Sequence, residues 1–290
     1  MLVGIVVLAV AAVLGAGLAL ATQHRGGSAT PEPAPTGSIP YPTGTNDLLL
    51  RVSSAGGEVS PPDQLANEPE FSLYGDGTVV TGGPPPTVPS PPPAAPALPD
   101  LRASHVTPAG VLAILEQARS AGLFGPSTRV GGGTPGASNV DFALSLGAMR
   151  RTALLVGGTG PSPADTPSAR AARERFGRLR SKLLDLRSWL PAADVGPSAP
   201  YDAPGMAVWV SAGTHGGNVH AATVWPLSTP LGSFGDPSSI AGFRCAVVTG
   251  ADLAKLLPSA EGATAASRWL SGGDTYRLVF RPVLPGDPGC

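Results

Sequence analysis

Short runs of apolar residues, several of them alternating with polar residues, predict strands along much of the chain. A hairpin is predicted over residues 71–80 (FSLYGDGTVV), because Gly75-Asp76-Gly77 can supply the positive φ that a tight reversal needs. The other predicted strands are residues 48–53, 140–146, 152–156, 206–211, 219–225, 243–248 and 274–282.

Helical spacing appears in fewer places. Thr107 is a predicted N-cap and Pro108 a first helical residue, so a helix is expected up to residue 121. The strongest periodic signal covers residues 167–190, where apolar residues recur every three or four positions. A short helix ending at Pro258 and a second helical stretch over residues 261–270 are also predicted.

Taken together, these elements predict the fold class. Strands outnumber helices and alternate with them unevenly, which favours α+β over a doubly wound sheet. We therefore expect a mainly antiparallel sheet with helices packed on it, preceded by an N-terminal apolar helix and a disordered linker.

The N-terminal segment predicts where the protein resides. Residues 2–21 carry no charge, and about 20 apolar residues at 1.5 Å each would cross a hydrocarbon layer of roughly 30 Å. Residues 19–21 (Ala-Leu-Ala) also fit a signal-peptide cleavage site. Residues 1–22 are therefore a membrane anchor or a cleaved leader. Either alternative predicts an extracytoplasmic location, anchored in the membrane or secreted.

Composition predicts how the rest of the chain is organised. Residues 23–45 are rich in Pro, Gly, Ser and Thr and predict a disordered linker. An α+β extracytoplasmic region follows over residues 46–190, with a Pro-rich loop at 82–99. Residues 191–205 predict a connector, and residues 206–290 a second α+β region packed on the first.

Charge and cysteine content narrow the possible functions. A net charge of −1, with 13% charged residues, argues against nucleic acid as a partner of the whole chain. The two cysteines, Cys245 and Cys290, are predicted to form a disulfide outside the cytoplasm. A reactive or metal-binding thiol pair is the alternative, but it would need a CxxC motif or a nearby base, and the sequence shows neither.

One face of the predicted helix 167–190 is basic. This face could contact an anionic membrane surface or a partner protein. The sequence favours a third alternative, in which the face is the solvated side of a helix packed on a sheet. The residues of this possible membrane or partner face are Arg170, Arg173, Arg178, Arg180 and Arg187.

Motifs for catalysis, cofactor binding or metal binding are absent from the sequence. It has no GxSxG or SxxK motif for a nucleophilic serine. The glycine-rich segments 131–133 and 156–160 lack the lysine of a phosphate-binding loop and predict flexible connections. No catalytic, cofactor-binding or metal residue, and no cofactor, is therefore predicted. The chain has four histidines, which are His24, His105, His215 and His220.

Two further patterns leave alternatives open. His215 and His220 lie five positions apart across a turn and would be brought together by a hairpin, but no carboxylate or HExxH motif accompanies them. Trp209 and Trp225 are on predicted neighbouring strands and would form a binding platform if they shared a face. Core packing is the alternative for these two tryptophans.

The segments FSLYGDGTVV, TPAGVLAILEQARSAGLF and RCAVVTGADLAKLLP resemble parts of uncharacterised secreted or membrane-anchored actinobacterial proteins. This resemblance implies the compartment and the disulfide, but no activity. We therefore expect a non-enzymatic cell-envelope protein with a binding or structural role. The alternatives are an extracytoplasmic hydrolase with an unrecognised Ser/His site, and a membrane-surface module that uses helix 167–190.

Overall fold

In the residues that it describes, the computed structural model has two mostly antiparallel sheets and four α-helices, so the predicted α+β class is confirmed. The structure describes residues 39–57, 60–83, 95–132, 136–213 and 222–290. The predicted leader lies outside these ranges. Within them, no helix is both long and apolar enough to cross a membrane.

The predicted linker is ordered at its C-terminal end. Ile39 is buried in the core of the first sheet, and Tyr41 packs against the same core. The prediction that residues 23–45 are disordered is therefore wrong for residues 39–45, because these two large side chains have an apolar surface to pack on. The remainder of the linker lies outside the described residues.

The first sheet has eight strands in the order β5-β7-β6-β1-β2-β3-β4-β8. The predicted hairpin is confirmed. In its turn, Asp76 accepts a hydrogen bond from the Thr78 backbone N–H at 2.9 Å, and Gly77 has a φ of 89°. The strands are β1 Leu48–Ala55, β2 Phe71–Tyr74, β3 Thr78–Gly82, β4 Leu101–His105, β5 Thr128–Val130, β6 Asn139–Leu146, β7 Met149–Leu155 and β8 Ala199–Pro200.

Helices α2 (Pro108–Ser120) and α3 (Pro167–Leu184) contribute to the core on one face of this sheet. The Thr107 hydroxyl accepts a hydrogen bond from the Gly110 N–H at 3.2 Å, as expected of an N-cap. Helix α3 ends earlier than predicted and continues as a 3₁₀ turn, Leu186–Ser188. A short helix, α1 (Pro61–Leu65), precedes β2.

The second sheet has six strands in the order β10-β13-β14-β9-β12-β11. Of the predicted strand 219–225, only residues 222–225 are described, and Thr223–Val224 form β10. The strands are β9 Gly205–Ala212, β10 Thr223–Val224, β11 Asp236–Pro237, β12 Arg244–Thr249, β13 Arg268–Ser271 and β14 Asp274–Pro282.

Two predictions near helix α4 (Gly250–Glu261) are wrong. Pro258 lies inside the helix instead of ending it, and the next residues of the helix include Ala260, which is buried in the second core. The predicted helical stretch 261–270 ends in β13, because Trp269 is buried and pairs with Tyr276 of β14. Burial of the large indole against a neighbouring strand outweighs weak local helix propensity.

The predicted connector is partly structured. It contains a 3₁₀ turn, Ala192–Asp194, and strand β8, which pairs with Arg102 and Ala103 of β4. The connector therefore supplies one edge of the first sheet before the chain enters the second.

Candidate functional site at the junction of the two sheets

Residues 283–290, here called the strap, follow β14, contact the first sheet and return to the second sheet at Cys290. The Val283 N–H donates to the Gly205 carbonyl at 2.8 Å, and the Val283 carbonyl accepts from the Tyr201 hydroxyl at 3.0 Å. Leu284 is buried in a cluster with Tyr74 and Leu101 of the first sheet. The strap therefore carries an apolar side chain of the C-terminal region into the first sheet.

A charged pair and a disulfide hold the end of the strap. Arg281 Nη1 lies 2.9 Å from Asp287 Oδ2, and Asp287 Oδ1 accepts from the Gly289 N–H at 2.8 Å. The Arg281 guanidinium also donates to the Gly289 carbonyl and lies 5.2 Å from the centre of the Trp209 ring.

The last residue of the strap carries the cross-link. Cys290 is bonded to Cys245 of β12, and their Cα atoms are 5.9 Å apart. The predicted disulfide is present in the structure, and the strap is attached to the second sheet at both ends.

Four polar side chains, here called the junction cluster, lie on the face of the first sheet that the strap reaches. They are Arg51 of β1, Glu68 just before β2, and Ser72 and Tyr74 of β2. Arg51 and Ser72 are paired across the two strands, while the intervening Leu50, Val52, Phe71 and Leu73 enter the first core. The alternation of side chains along a strand therefore places the cluster on the opposite face.

Three buried polar atoms of the junction cluster have no hydrogen-bond partner among the described residues: Arg51 Nε, Glu68 Oε1 and Glu68 Oε2. The Tyr74 hydroxyl interacts with the side chains of Arg51 and Ser72. Ser72 and Tyr74 are both 0% exposed. A buried polar atom without a partner costs free energy, so this concentration marks the junction as a place where the fold is not optimised for stability alone.

Burial dominates the electrostatics of the cluster. It raises the pKa of Glu68 to about 7; Arg281 and Arg51 lower that pKa, and the nearby Asp287 carboxylate raises it. Burial also raises the pKa of Tyr74, although Arg51 and Ser72 act in the opposite direction. The pKa of Tyr201 is raised by burial, by Tyr74 and by Glu68. The Glu68 carboxyl can therefore gain or lose a proton close to neutral pH.

A groove with a cavity volume of about 400 Å³ lies beside the junction. Leu101 and Tyr201, which pack near the strap, line it together with Leu257 of α4. Three carboxylates also line the groove, those of Asp100, Asp202 and Glu261. The groove is largely apolar with acidic residues in its lining, and could receive an apolar group that carries positive charge.

The residues of the junction cluster are not distinctive in the sequence. Polar Arg51 and Ser72 occupy alternate positions in strands whose other positions are apolar, a pattern typical of a strand with one solvated face. The structure shows that this face is buried at Ser72 and Tyr74, and that Tyr74 packs with Leu284 of the strap. No local signal in the sequence identifies that contact.

Arg173, predicted on the basic face, is instead buried, with 1% of its surface exposed. Its Nε donates to Asp165 Oδ1 at 3.0 Å, and its Nη2 donates to the carbonyls of Gly131 and Val156 at 2.8 and 2.9 Å. Its Nη1 donates to the Gly158 carbonyl. The guanidinium therefore binds both glycine-rich segments, and the prediction that these are merely flexible connections is wrong for the described residues.

Arg180 is also engaged with the first sheet. Its Nε and Nη2 donate to Glu70 at 2.5 and 2.7 Å, and Ser54 donates to the same carboxylate at 2.5 Å. Burial raises the pKa of Glu70, but these hydrogen bonds and the charge of Arg180 bring it below its ordinary value. Arg180 therefore contributes less to an exposed basic face than the helical spacing predicts.

The remaining members of the predicted basic face are exposed. They are Arg170, Arg178 and Arg187, and Arg187 donates to the Gly196 carbonyl. A membrane or partner contact through these three side chains stays a prediction.

The histidines do not form a site among the described residues. His105 is exposed at the end of β4, while His24, His215 and His220 lie outside the described ranges. Within those ranges, no three His, Cys, Asp or Glu side chains are grouped to hold a metal ion.

Trp209 and Trp225 do not share a face. Trp209 packs with Ala207 and Cys245, whereas Trp225 lies in the second core, 6.0 Å from Trp269 between ring centres. Trp225 lies in the same core as Val208 and Val210 of β9, and side chains alternate along a strand, so Trp209 points to the opposite side of the sheet. The suggested binding platform is therefore wrong.

The comparisons with known proteins gave no relatives. No family model, curated protein or solved structure matches this chain. The resemblance to uncharacterised envelope proteins stays a prediction.

Proposed function

We propose that this chain is an extracytoplasmic cell-envelope protein with a binding or structural role. The observation that supports this most is the disulfide between Cys245 and Cys290. Such bonds persist in oxidising compartments and are rare in the cytosol. The apolar segment 1–22 supports the same location, since it would insert into the membrane and carry the rest of the chain across.

The groove beside the junction supports a binding role. It combines an apolar lining, including Leu101 and Leu257, with the carboxylates of Asp100, Asp202 and Glu261. Concave, mostly apolar surfaces with a few polar groups are the usual form of ligand sites. We infer that an envelope component, a protein or another ligand, contacts this surface.

Thiol labelling of the full chain in a bacterial host tests the location. After fractionation and denaturation, we expect the protein in the membrane or the medium, with both cysteines blocked to a maleimide until a reductant is added. The Cys290→Ser variant is the control, because its single remaining thiol should react without reduction. Recovery of the protein in the cytosol with two free thiols would contradict the proposal.

Crosslinking in cells tests the binding role. A photoreactive residue replacing Leu257 in the groove should give a discrete adduct of higher mass. The matched control replaces Leu184, which is 46% exposed on α3 and does not line the groove. No adduct at position 257, or the same adducts from both positions, would favour a purely structural role.

A further inference from the structure

A cleft between helices α2 and α3, here called the basic cleft, is lined by cations and lacks carboxylates. Its polar lining consists of Gln117 and Ser120 of α2 and Arg175, Arg178 and Lys182 of α3. Its cavity volume is about 220 Å³. Clefts that hold drug-sized molecules measure roughly 300–1,000 Å³, so the basic cleft suits a single small charged group.

The three cations of the basic cleft lie on one side of α3. Arg178 and Lys182 follow Arg175 by three and seven positions, and residues at this spacing are neighbours on a helix surface. Like charges so placed repel one another and destabilise the helix. Because no acidic residue lines the cleft, nothing in its lining offsets this repulsion. The arrangement is therefore unfavourable for folding and favourable for an anion.

Two other arginines of α3 have carboxylate partners, whereas those of the basic cleft do not. Arg173 is paired with Asp165, and Arg180 with Glu70. The side chains of Arg175 and Arg178 are exposed and have no hydrogen bond or ion pair in the described part of the chain. Their guanidinium donors are therefore available to a ligand.

Lys182 is held in place by α2. Its Nζ donates to Gln117 Oε1 at 2.7 Å and lies 5.3 Å from the centre of the Trp189 ring. An ammonium group has three N–H donors, so two remain after this bond. The Gln117 amide NH₂ group can donate as well, because only its oxygen is engaged by Lys182. The cleft therefore has a positioned cation and neutral donors beside its two free guanidinium groups.

We propose that the basic cleft binds a phosphate group, either free or carried by a lipid headgroup. A phosphate has several acceptor oxygens around one centre and can contact three cations together. The planar fork of each arginine matches pairs of these oxygens. The basic cleft shares no lining residue with the groove at Leu257, so this inference is independent of ligand binding in that groove.

Isothermal titration calorimetry of the full chain in a non-ionic detergent tests the proposal. The chain is titrated with inorganic phosphate and, separately, with micelles of the same detergent that contain phosphatidylglycerol. Micelles that contain phosphatidylcholine are the control, because a choline cation neutralises the phosphate of that headgroup. We expect saturable binding of at least one of the first two ligands, and the tighter one identifies the source of the phosphate.

Two double variants separate the basic cleft from general positive charge. Arg175→Gln/Arg178→Gln removes two charged donors and should weaken binding by about tenfold or more. The matched control, Arg170→Gln/Arg187→Gln, removes the same charge from exposed positions that do not line the cleft. We expect its affinity to stay within about twofold of the original value, since screening weakens the effect of distant exposed charges.

Thermal unfolding separates loss of binding from loss of folding. Without phosphate, Arg175→Gln/Arg178→Gln should unfold at the original temperature or higher, because the substitutions remove repulsion between like charges. Phosphate should raise the unfolding temperature of the original chain more than that of this variant, since a ligand of the folded state stabilises it by mass action. If the double variant does not fold, Arg175→Gln replaces it, with a smaller loss of affinity expected.

Three outcomes would overturn the proposal. The first is that neither inorganic phosphate nor phosphatidylglycerol shows saturable binding. The second is that the substitutions in the basic cleft leave the affinity unchanged. The third is an equal loss of affinity in the control variant, which would assign the binding to the overall charge of the surface.

Discussion

Arg173 and Asp165 form an ion pair with 3.0 Å between Nε and Oδ1, and both side chains are almost completely buried. Arg173 reaches this position from the first turns of α3, after the N-cap Thr166. Burial tends to raise the pKa of Asp165, but the Ser162 N–H and Arg173 bring it below its ordinary value. Asp165 is therefore held as the carboxylate that a buried guanidinium needs.

Arg173→Met should destabilise the protein strongly. The substitution leaves the Asp165 charge buried without its partner and removes the donor to the carbonyls of Gly131 and Val156. Breaking a buried pair by removing one partner costs about 3–5 kcal/mol. The free energy of unfolding, measured with denaturant, should fall by that amount.

Arg173→Lys is the matched control for charge. An ammonium group keeps the charge but cannot donate in a planar fork to several acceptors, so we expect an intermediate loss. If Arg173→Lys were as stable as the original chain, the hydrogen bonds to the glycine-rich segments would have no energetic role.

Stability should depend on pH through Glu68. Its pKa is raised from 4.5 to about 7 in the folded chain, so the contribution of this group to stability is complete below about pH 4.5 and is lost by about pH 7. The shift corresponds to about 3 kcal/mol at most. Denaturant unfolding of the original chain and of Glu68→Gln at pH 5 and 7.5 measures it.

The comparison between the two chains isolates Glu68 from the other titrating groups. We expect the original chain to lose stability relative to Glu68→Gln as the pH rises across this interval. A constant difference between the two chains would show that Glu68 titrates with an ordinary pKa.

Removing the disulfide should lower stability without changing the sheets. The bond joins residues 45 positions apart, and loop-closure entropy predicts a loss of about 4 kcal/mol in Cys245→Ser/Cys290→Ser. A denaturant titration of each chain with and without reductant gives the value. The reductant should affect only the original chain, and an equal effect on the double variant would contradict the assignment.

Gly77→Ala should be more damaging than Gly122→Ala, although both glycines have a positive φ. A Cβ on Gly77 would lie 2.2 Å from the Val106 carbonyl oxygen, whereas one on Gly122 would meet no atom within 4 Å. We expect about 1–2 kcal/mol for Gly122→Ala from backbone strain alone. For Gly77→Ala we expect about 3 kcal/mol or more. Equal losses in thermal unfolding would contradict the predicted clash.

Local patterns predicted most of the first sheet and its helices. The Gly75-Asp76-Gly77 turn and the Thr107-Pro108 helix start depend on interactions between residues close in sequence, and the structure has both. The predicted helix 261–270 failed because Trp269 is placed by a strand partner and a core that no local window contains.

The candidate site could not be predicted from the sequence either, because it depends on contacts between residues that are distant in the chain. Ser72 and Tyr74 alternate with apolar residues as on a strand with one solvated face, yet both are fully buried, and Tyr74 packs with Leu284 of the strap. Arg173 was misplaced because helical spacing describes a face of the helix and contains no information on the carbonyls of Gly131 and Gly158 beside it. The disulfide was predictable because the chain has only two cysteines.

The two residues of β8 have a consequence for neighbouring molecules. An outermost strand with free backbone N–H and C=O groups invites pairing with another chain and so aggregation. Ala199 and Pro200 cover this side of β4, and Pro200 has no N–H to offer in turn. At this edge the first sheet is therefore a poor template for strand pairing with another molecule, which would disfavour aggregation at high protein concentration.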